Sequence, residues 1–300
     1  MVEAVERLCR ELKAEFSPGE HLAARTSLGI GGEALFAARP ASWSQAAALL
    51  EKLWAENIPF KVLGGGTNLL VEDGRLGFGV VHLRACGGTA RFTDDEVEVD
   101  ADVPLPSLCS QAMRKGLAGL EGLAGIPGLV GGAVVMNAGA YGTEISSLAT
   151  SVALIERGAG LRWHDASSFR FAYRASDVSS RGVVAGCKIR LRRDEPSAIT
   201  SRFEEFKARR LATQPWKLPS AGSVFKNPSG DAAGRILEEL GFKGKRRGGA
   251  AFSEIHANFL VNLGGATFAD AWSLCEEARE TAARRGTALE YEMEVWRRAQ

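Results

Sequence analysis

From Gly122 to Thr143 the chain runs for 22 residues without a charged side chain, long enough to cross a bilayer. This stretch constrains the fold more than any other. It must be a membrane span or a buried part of a soluble core. It contains Pro127, Asn137 and seven glycines, which makes a poor membrane helix. The plainer reading is a buried system of loops and turns in which the backbone approaches something closely. Within and before it, Gly116, Gly119, Gly122, Gly125, Gly128 and Gly131 recur at every third position. A collagen helix needs far longer runs and more proline, so that spacing is coincidental.

The rest of the chain supports a soluble globular protein. Its 300 residues suggest about two domains. An apolar fraction of 45% with 24% charged residues is ordinary for a packed core. The net charge is +1, from 37 basic and 36 acidic residues, and no nucleic-acid partner is expected. Cys9, Cys86, Cys109, Cys187 and Cys275 are odd in number and lack any C-x-x-C spacing. Neither a disulfide framework nor a metal site is indicated; reduced thiols in a cytoplasm are expected. At the N-terminus Val2, Val5, Leu8, Leu12 and Phe16 recur at helical spacing among charges. The segment lacks the apolar core and cleavage signal of a secretory peptide, and no membrane insertion is expected.

The pattern predicts a helix capped by Ser42 and running to Glu56, then a strand Phe60–Leu63 leading into Gly64-Gly-Gly-Thr-Asn-Leu69. Further strands are expected over 80–83, 97–99, 152–155 and 183–192, and a helix over 104–115. Asp194-Glu-Pro196 reads as a linker, dividing the chain into 1–193 and 194–300. Beyond it come a charged helix over 197–212, a helix over 232–240 stopped by Gly241, and a strand over 258–263. Thr267-Phe-Ala-Asp270 is a capping box opening a helix that ends near Gly286. Leu289 to Trp296 alternates as a single strand, with Leu289, Tyr291, Met293 and Val295 on one face and Glu290, Glu292 and Glu294 on the other. Helices and strands mix without a regular βαβ beat, which predicts an α+β fold.

Two glycine loops are candidates for binding an anion. Gly64-Gly-Gly-Thr-Asn68 follows a strand, so its N–H groups can form a nest, and Thr67 and Asn68 add side-chain donors. A tight turn is the bland alternative. Gly125-Ile-Pro-Gly-Leu-Val-Gly-Gly-Ala133 precedes Met136-Asn-Ala-Gly-Ala-Tyr-Gly142. Neither loop carries a lysine or arginine, which suggests a diphosphate-bearing cofactor held by backbone. A third match, Gly29-Ile-Gly-Gly-Glu-Ala34, has the G-x-G-x-x-A form. Polar Arg25-Thr-Ser27 precedes it and Pro40 follows too soon for a long helix, so a Rossmann site is not expected. Ser223-x-x-Lys226 has the spacing of serine acyl-transferases. Pro228 and Gly222 disfavour the helix that this chemistry needs.

Taken together, Ile30-Gly-Gly32, Leu63 to Val71, Gly125 to Gly142, Tyr173-Arg174, Pro219 to Pro228 and Ala251 to Phe259 resemble the MurB family of UDP-N-acetylenolpyruvoylglucosamine reductases. The likeness runs from about Thr26 to Val295, and the order of the motifs makes it specific. It implies an FAD-binding region of the vanillyl-alcohol-oxidase (PCMH) type, followed by a smaller α+β substrate-binding domain. It further implies noncovalent FAD, NADPH as reductant, a UDP-sugar substrate and a monomer. The carry-over places Gly64, Gly65, Gly66, Thr67, Asn68 and Leu69 at the cofactor. In the second loop it adds Gly125, Gly131, Gly132, Ala133, Asn137, Ala138 and Gly139. Ser223 matches the family's proton donor, Arg174 its carboxylate-holding cation and Glu292 its acidic partner. Tyr173, Lys226 and Asn227 match substrate contacts.

Taken singly, these residues have blander readings. Ser223 could cap a turn, Arg174 could be a surface charge, and alternation cannot choose among the three glutamates. His256 is expected to be structural, and Lys243, Lys245, Arg246 and Arg247 to form an ordinary basic turn. Gly29 stands where the family often has a basic residue. Tyr141, Tyr173 and Tyr291 are the chain's only tyrosines, so the loop tyrosine with which some members cover the substrate is missing. The rivals are an oxidase of the same fold and a flavin-binding module without catalysis.

Overall fold

The first helix shows where local signals stop. Helix α1 (Val2–Leu12) buries Val5 and Cys9 and ends at Lys13, whose φ of 55° is left-handed. Phe16 keeps the helical spacing but lies in the strand Glu15–His21, stacked on Phe36. The helical expectation for Phe16 therefore fails, because the cap at Lys13 turns the chain first. The computed structural model describes residues 1–84 and 86–298.

The chain forms two units. The first comprises 1–18, 36–65 and 78–209; the second comprises 19–35, 66–77 and 210–300. The boundary expected at 193/194 falls inside the first unit, because Asp194-Glu-Pro196 opens α6 (Pro196–Thr213). Two short N-terminal stretches belong with the C-terminal segment, which no composition shift announces.

In the first unit, α2 (Trp43–Ala55) is capped by Ser42, whose hydroxyl accepts from the Gln45 N–H at 3.2 Å. Ala46, Leu49, Leu50 and Leu53 are its buried face, as the periodicity predicts. The helix connects parallel strands. Phe60–Leu63 and the Ala37-Ala38 stretch flank Gly79–His82. This small parallel sheet was not foreseen. The larger sheet is antiparallel, in the order Gly160–Asp165, Ala149–Glu156, Val183–Arg190, Glu96–Asp100, Ala90–Thr93. Helix α3 (Leu105–Arg114) and α4 (Val130–Val135) pack with it around Val97, Val99, Leu108, Val134, Leu154 and Ile189. The uncharged stretch is the expected loop system: a 3-10 turn, α4, and a hairpin pairing Gly139–Ala140 with Thr143–Glu144. Among the described residues, no helix is long and apolar enough to cross a membrane.

In the second unit, an antiparallel sheet runs in the order Ser220–Ser223, Phe259–Asn262, Ala250–Phe252, Arg246–Arg247. Helix α5 (Val178–Arg181) belongs to the first unit; α7 (Ala233–Glu239) and α8 (Phe268–Arg284) cover this sheet around Phe225, Phe242, Phe252, Leu260 and Leu274. The capping box is present: Thr267 Oγ accepts from the Asp270 N–H, and the Asp270 carboxylate accepts from the Thr267 N–H. The G-x-G-x-x-A stretch leads into the strand Glu33–Arg39, not a helix. Gly32 donates its N–H to the Glu72 carbonyl, and a Cβ there would collide with Gly74 backbone. Its glycine serves close packing.

The last strand is a correction. Only Glu294–Trp296 is regular, and it pairs in parallel with Leu69–Val71. Tyr291 instead bridges Phe225 in the antiparallel sense. The change of partner between 291 and 294 breaks the alternation, so Trp296 is buried where strict alternation would place it outside.

Candidate active site

Tyr173 and Arg174 sit at the tip of a hairpin between Phe171–Ala172 and Ala175–Ser176. The Ser176 hydroxyl ties this hairpin to α4, donating to the Val135 carbonyl at 2.7 Å. Arg174 has φ 53°, a conformation that costs a non-glycine residue about 1–2 kcal/mol. Its guanidinium lies over the Tyr173 ring at 4.8 Å and donates to the Gly139 carbonyl at 2.5 Å. The Arg174 side chain is only 18% exposed, so it is not an ordinary surface charge.

Facing it is a residue that the sequence reading missed. Glu144 Oε1 lies 3.7 Å from Arg174 Nη1, while its Oε2 accepts from Asn137 Nδ2 at 3.0 Å. Asn137 also donates to the Ala172 carbonyl and accepts from the Ser146 N–H, both at 3.0 Å. Its amide therefore ties protein to protein, and it is 1% exposed. The Tyr141-Gly142 turn, with φ 51° and 80°, is the two-residue hairpin geometry that places Glu144 opposite Gly139. A Tyr-Gly turn followed by the first charge after 22 neutral residues was the available signal.

The glycine loops divide between packing and open space. The Gly131 N–H is taken by the Ala101 carbonyl at 2.8 Å, and a Cβ there would press on Ala101. Gly132 is exposed, and an added Cβ would meet nothing within 4 Å. At Gly64 it would meet only the Leu129 side chain, at 3.6 Å. Gly66, in the second unit, has φ 65° and lies against the Arg25 carbonyl, while its own oxygen accepts from the Ser27 N–H at 2.9 Å. Asn68 donates to the Glu292 carbonyl at 3.1 Å. Leu69, Ala133 and Ala138 are buried; Gly65, Thr67 and Gly125 are half-buried. Open space beside Gly132, with no cation in either loop, fits a dinucleotide held by backbone N–H groups. Gly131, Asn137 and Asn68 each make a hydrogen bond that holds the protein's own loops.

Ser223 ends the edge strand of its sheet. A register shift separates Ser220 from Ser223, and between them Gly222 has φ 79°. The bulge re-aims the strand end. Within its unit, and among the described residues, the Ser223 hydroxyl makes no hydrogen bond. Asn258, 2% exposed, holds the following turn: Oδ1 accepts from the Phe225 N–H at 3.0 Å and Nδ2 donates to the Phe225 carbonyl at 2.8 Å. The Glu292 N–H donates to the Val224 carbonyl at 2.9 Å. The structure thus brings the Glu292 backbone beside that of the residue following Ser223. Tyr291 stacks on Trp272 and donates to Glu276 at 2.6 Å, which fixes the residue preceding Glu292. The Ser223–Lys226 segment is not helical, so serine acyl-transfer geometry is absent.

Lys226 Nζ lies 3.5 Å from Glu290, and Asn227 Oδ1 accepts from the Ala233 N–H at the start of α7. Lys243, Lys245, Arg246 and Arg247 pair with Glu238, Glu277, Glu254 and Glu277 respectively, an ordinary basic turn. His256 is structural: its Nδ1 accepts from the Asn258 N–H at 3.2 Å. Burial, and then the Lys243 charge, lowers its pKa from 6.5. The unfolded chain therefore takes up this proton first as pH falls. The contribution of neutral His256 is complete above pH 6.5 and is lost as pH falls through that value toward the folded pKa. Urea midpoints at about pH 7.5 and about pH 5.5 should differ, and His256→Gln should reduce the difference.

All five cysteines are free and buried, and no cluster of metal-ligating side chains occurs among the described residues.

Known proteins place this arrangement. The C-terminal domain of UDP-N-acetylenolpyruvoylglucosamine reductase matches residues 214–296, and an FAD binding domain matches residues 34–167. UDP-N-acetylenolpyruvoylglucosamine reductase 2 of Symbiobacterium thermophilum is 39% identical over 92% of this chain and 91% of its own. The corresponding reductase of Moorella thermoacetica is 40% identical over 95% and 94%. The crystal structure of the Thermus caldophilus reductase, MurB, superposes with a TM-score of 0.81 at 35% identity, covering 94% of this chain and 99% of that one. The expected α+β fold, an FAD-binding domain of the PCMH type with a MurB C-terminal domain, is the fold found. This chain belongs to the MurB family of UDP-N-acetylenolpyruvoylglucosamine reductases, FAD-dependent oxidoreductases of peptidoglycan-precursor synthesis.

Proposed function

We propose that the protein, a cytoplasmic monomer, uses NADPH to reduce UDP-N-acetylglucosamine enolpyruvate to UDP-N-acetylmuramate, with Ser223, Arg174 and Glu292 as its catalytic residues. Residues 1–193 carry the cofactor in this reading, and 194–300 chiefly the substrate. FAD, bound noncovalently and reduced by NADPH, supplies a hydride to the terminal carbon of the enolpyruvyl double bond. Charge then builds on the neighbouring carbon and its carboxylate.

Arg174 is permanently cationic and holds that carboxylate through a forked hydrogen bond. Ser223 delivers the proton to the carbon. A hydroxyl is a very weak acid and serves because the carbanion it meets is strongly basic. Glu292, half-buried, stabilises or protonates the enolate when it carries a proton itself. Tyr173, Lys226 and Asn227 contact the UDP-sugar. Lys226 exchanges an exposed partner, Glu290, for the diphosphate, at little cost because surface ion pairs contribute about 0–1 kcal/mol.

The observation that supports the reading is the Glu292 N–H donating to the Val224 carbonyl, which ties the backbone of the acidic residue to that of the residue after the proton donor. The test is anaerobic. NADPH should bleach the flavin of the FAD-loaded protein, and UDP-N-acetylglucosamine enolpyruvate should restore its colour. Bleaching by a different substrate, with the colour restored by oxygen and not by the enolpyruvyl ligand, would favour the oxidase reading.

A further inference from the structure

We infer that Glu144 is a positioning residue for Arg174, aligning its guanidinium for the substrate carboxylate. The inference rests on the role of Arg174 in the reading above. Glu144 is held before it acts. The Tyr141-Gly142 turn sets it opposite Gly139, and Asn137, 1% exposed, fixes its Oε2 at 3.0 Å. Its other oxygen lies 3.7 Å from Arg174 Nη1. Arg174 Nη2 meanwhile donates to Gly139, the residue paired with Glu144. Two neighbouring points on one hairpin, a hydrogen bond and an ion pair, therefore restrain the guanidinium. Asn137 closes the circuit through the Ala172 carbonyl, two residues before Arg174. An arginine side chain otherwise has large rotamer freedom, and prior ordering removes that cost from binding.

A competing effect has the opposite sign. A carboxylate beside Arg174 also weakens the positive potential felt by a bound anion. The Glu144 side chain is 38% exposed, so solvent screens that effect. Its tether to Asn137 keeps it from following the guanidinium as a mobile counter-ion. Alignment therefore outweighs competition.

The experiment measures Kd for two ligands on the oxidised, FAD-loaded protein by flavin absorbance. One is UDP-N-acetylglucosamine enolpyruvate; the other, UDP-N-acetylglucosamine, lacks the carboxylate. Glu144→Gln keeps an oxygen for Asn137 and removes the charge. It should weaken the first ligand about tenfold, leave the second unchanged, and bind FAD as the parent does by fluorescence quenching. Glu144→Asp, whose carboxylate is shorter, should lie between Gln and the parent for the first ligand. Arg174→Lys combined with Glu144→Gln should be less than additive. Equal or tighter binding of the enolpyruvyl ligand by Glu144→Gln overturns the inference. So does equal weakening of both ligands, which would mark Glu144 as merely structural. If the carboxylate adds nothing to affinity even in the parent, the role of Arg174 is wrong and the inference falls with it.

Discussion

Ser223→Ala is expected to slow turnover by about 10²- to 10⁴-fold, the usual contribution of a positioned proton donor. The bound flavin should still be bleached by NADPH at close to the parent rate, because reduction of the flavin does not need the hydroxyl. The structure favours a local effect. Ser223 ends a bulged edge strand, and Asn258 fixes the next turn through both backbone groups of Phe225. Losing one oxygen leaves those bonds intact. Ser223→Cys keeps a proton on a somewhat longer bond and should retain more turnover than alanine. Equal losses of flavin bleaching and substrate reduction would point to a distorted site and not a missing proton.

The second large effect is expected at Gly66. Its φ of 65° is left-handed, and a Cβ would overlap the carbonyl oxygen of Arg25. Alanine there adds about 1–2 kcal/mol of backbone strain and about 1–3 kcal/mol of overpacking. The opposing atoms are backbone, so no side chain can swing away. Gly66→Ala should lower the urea midpoint and weaken FAD binding together. Gly132→Ala is the contrasting variant. Nothing lies within 4 Å of its added Cβ, and it sits within α4, where alanine is the better helix former by about 1 kcal/mol. It should therefore keep or raise stability while weakening FAD, if the cofactor approaches that backbone. Fluorescence titration with urea denaturation separates the two variants.

Much of this was legible in the chain. Helical periodicity located α2 and the Thr267 capping box located α8, and the caps at Ser42 and Thr267 lie where the side-chain chemistry puts them. The uncharged, glycine-rich run announced buried loops, because seven glycines and a proline defeat a helix of that length. Other features depend on pairing, which sequence distance hides. The stretches 19–35 and 66–77 join the C-terminal segment through bonds such as Ser27 N–H to Gly66 and Glu294 N–H to Asn68. The last strand reads as one element because alternation says nothing about a change of partner at 291–294. At the candidate site, glycines signalled close approach without saying what approaches. Gly131 packs on Ala101 while Gly132 faces open space. Glu144 is signalled only by the Tyr141-Gly142 turn before it, because its place comes from a hairpin that turns it back on Gly139. Asn68 and Asn137, expected at the cofactor, also hold protein groups.

The central claim concerns the fate of the enolpyruvyl ether, and product analysis tests it most directly. FAD-loaded protein is mixed with NADPH and UDP-N-acetylglucosamine enolpyruvate without oxygen, and the nucleotide sugar is weighed by mass spectrometry. The account predicts a product heavier by two hydrogens, with the lactyl ether of UDP-N-acetylmuramate, formed in step with NADPH consumed. An unaltered enolpyruvyl ether, whether or not NADPH is consumed, would contradict it.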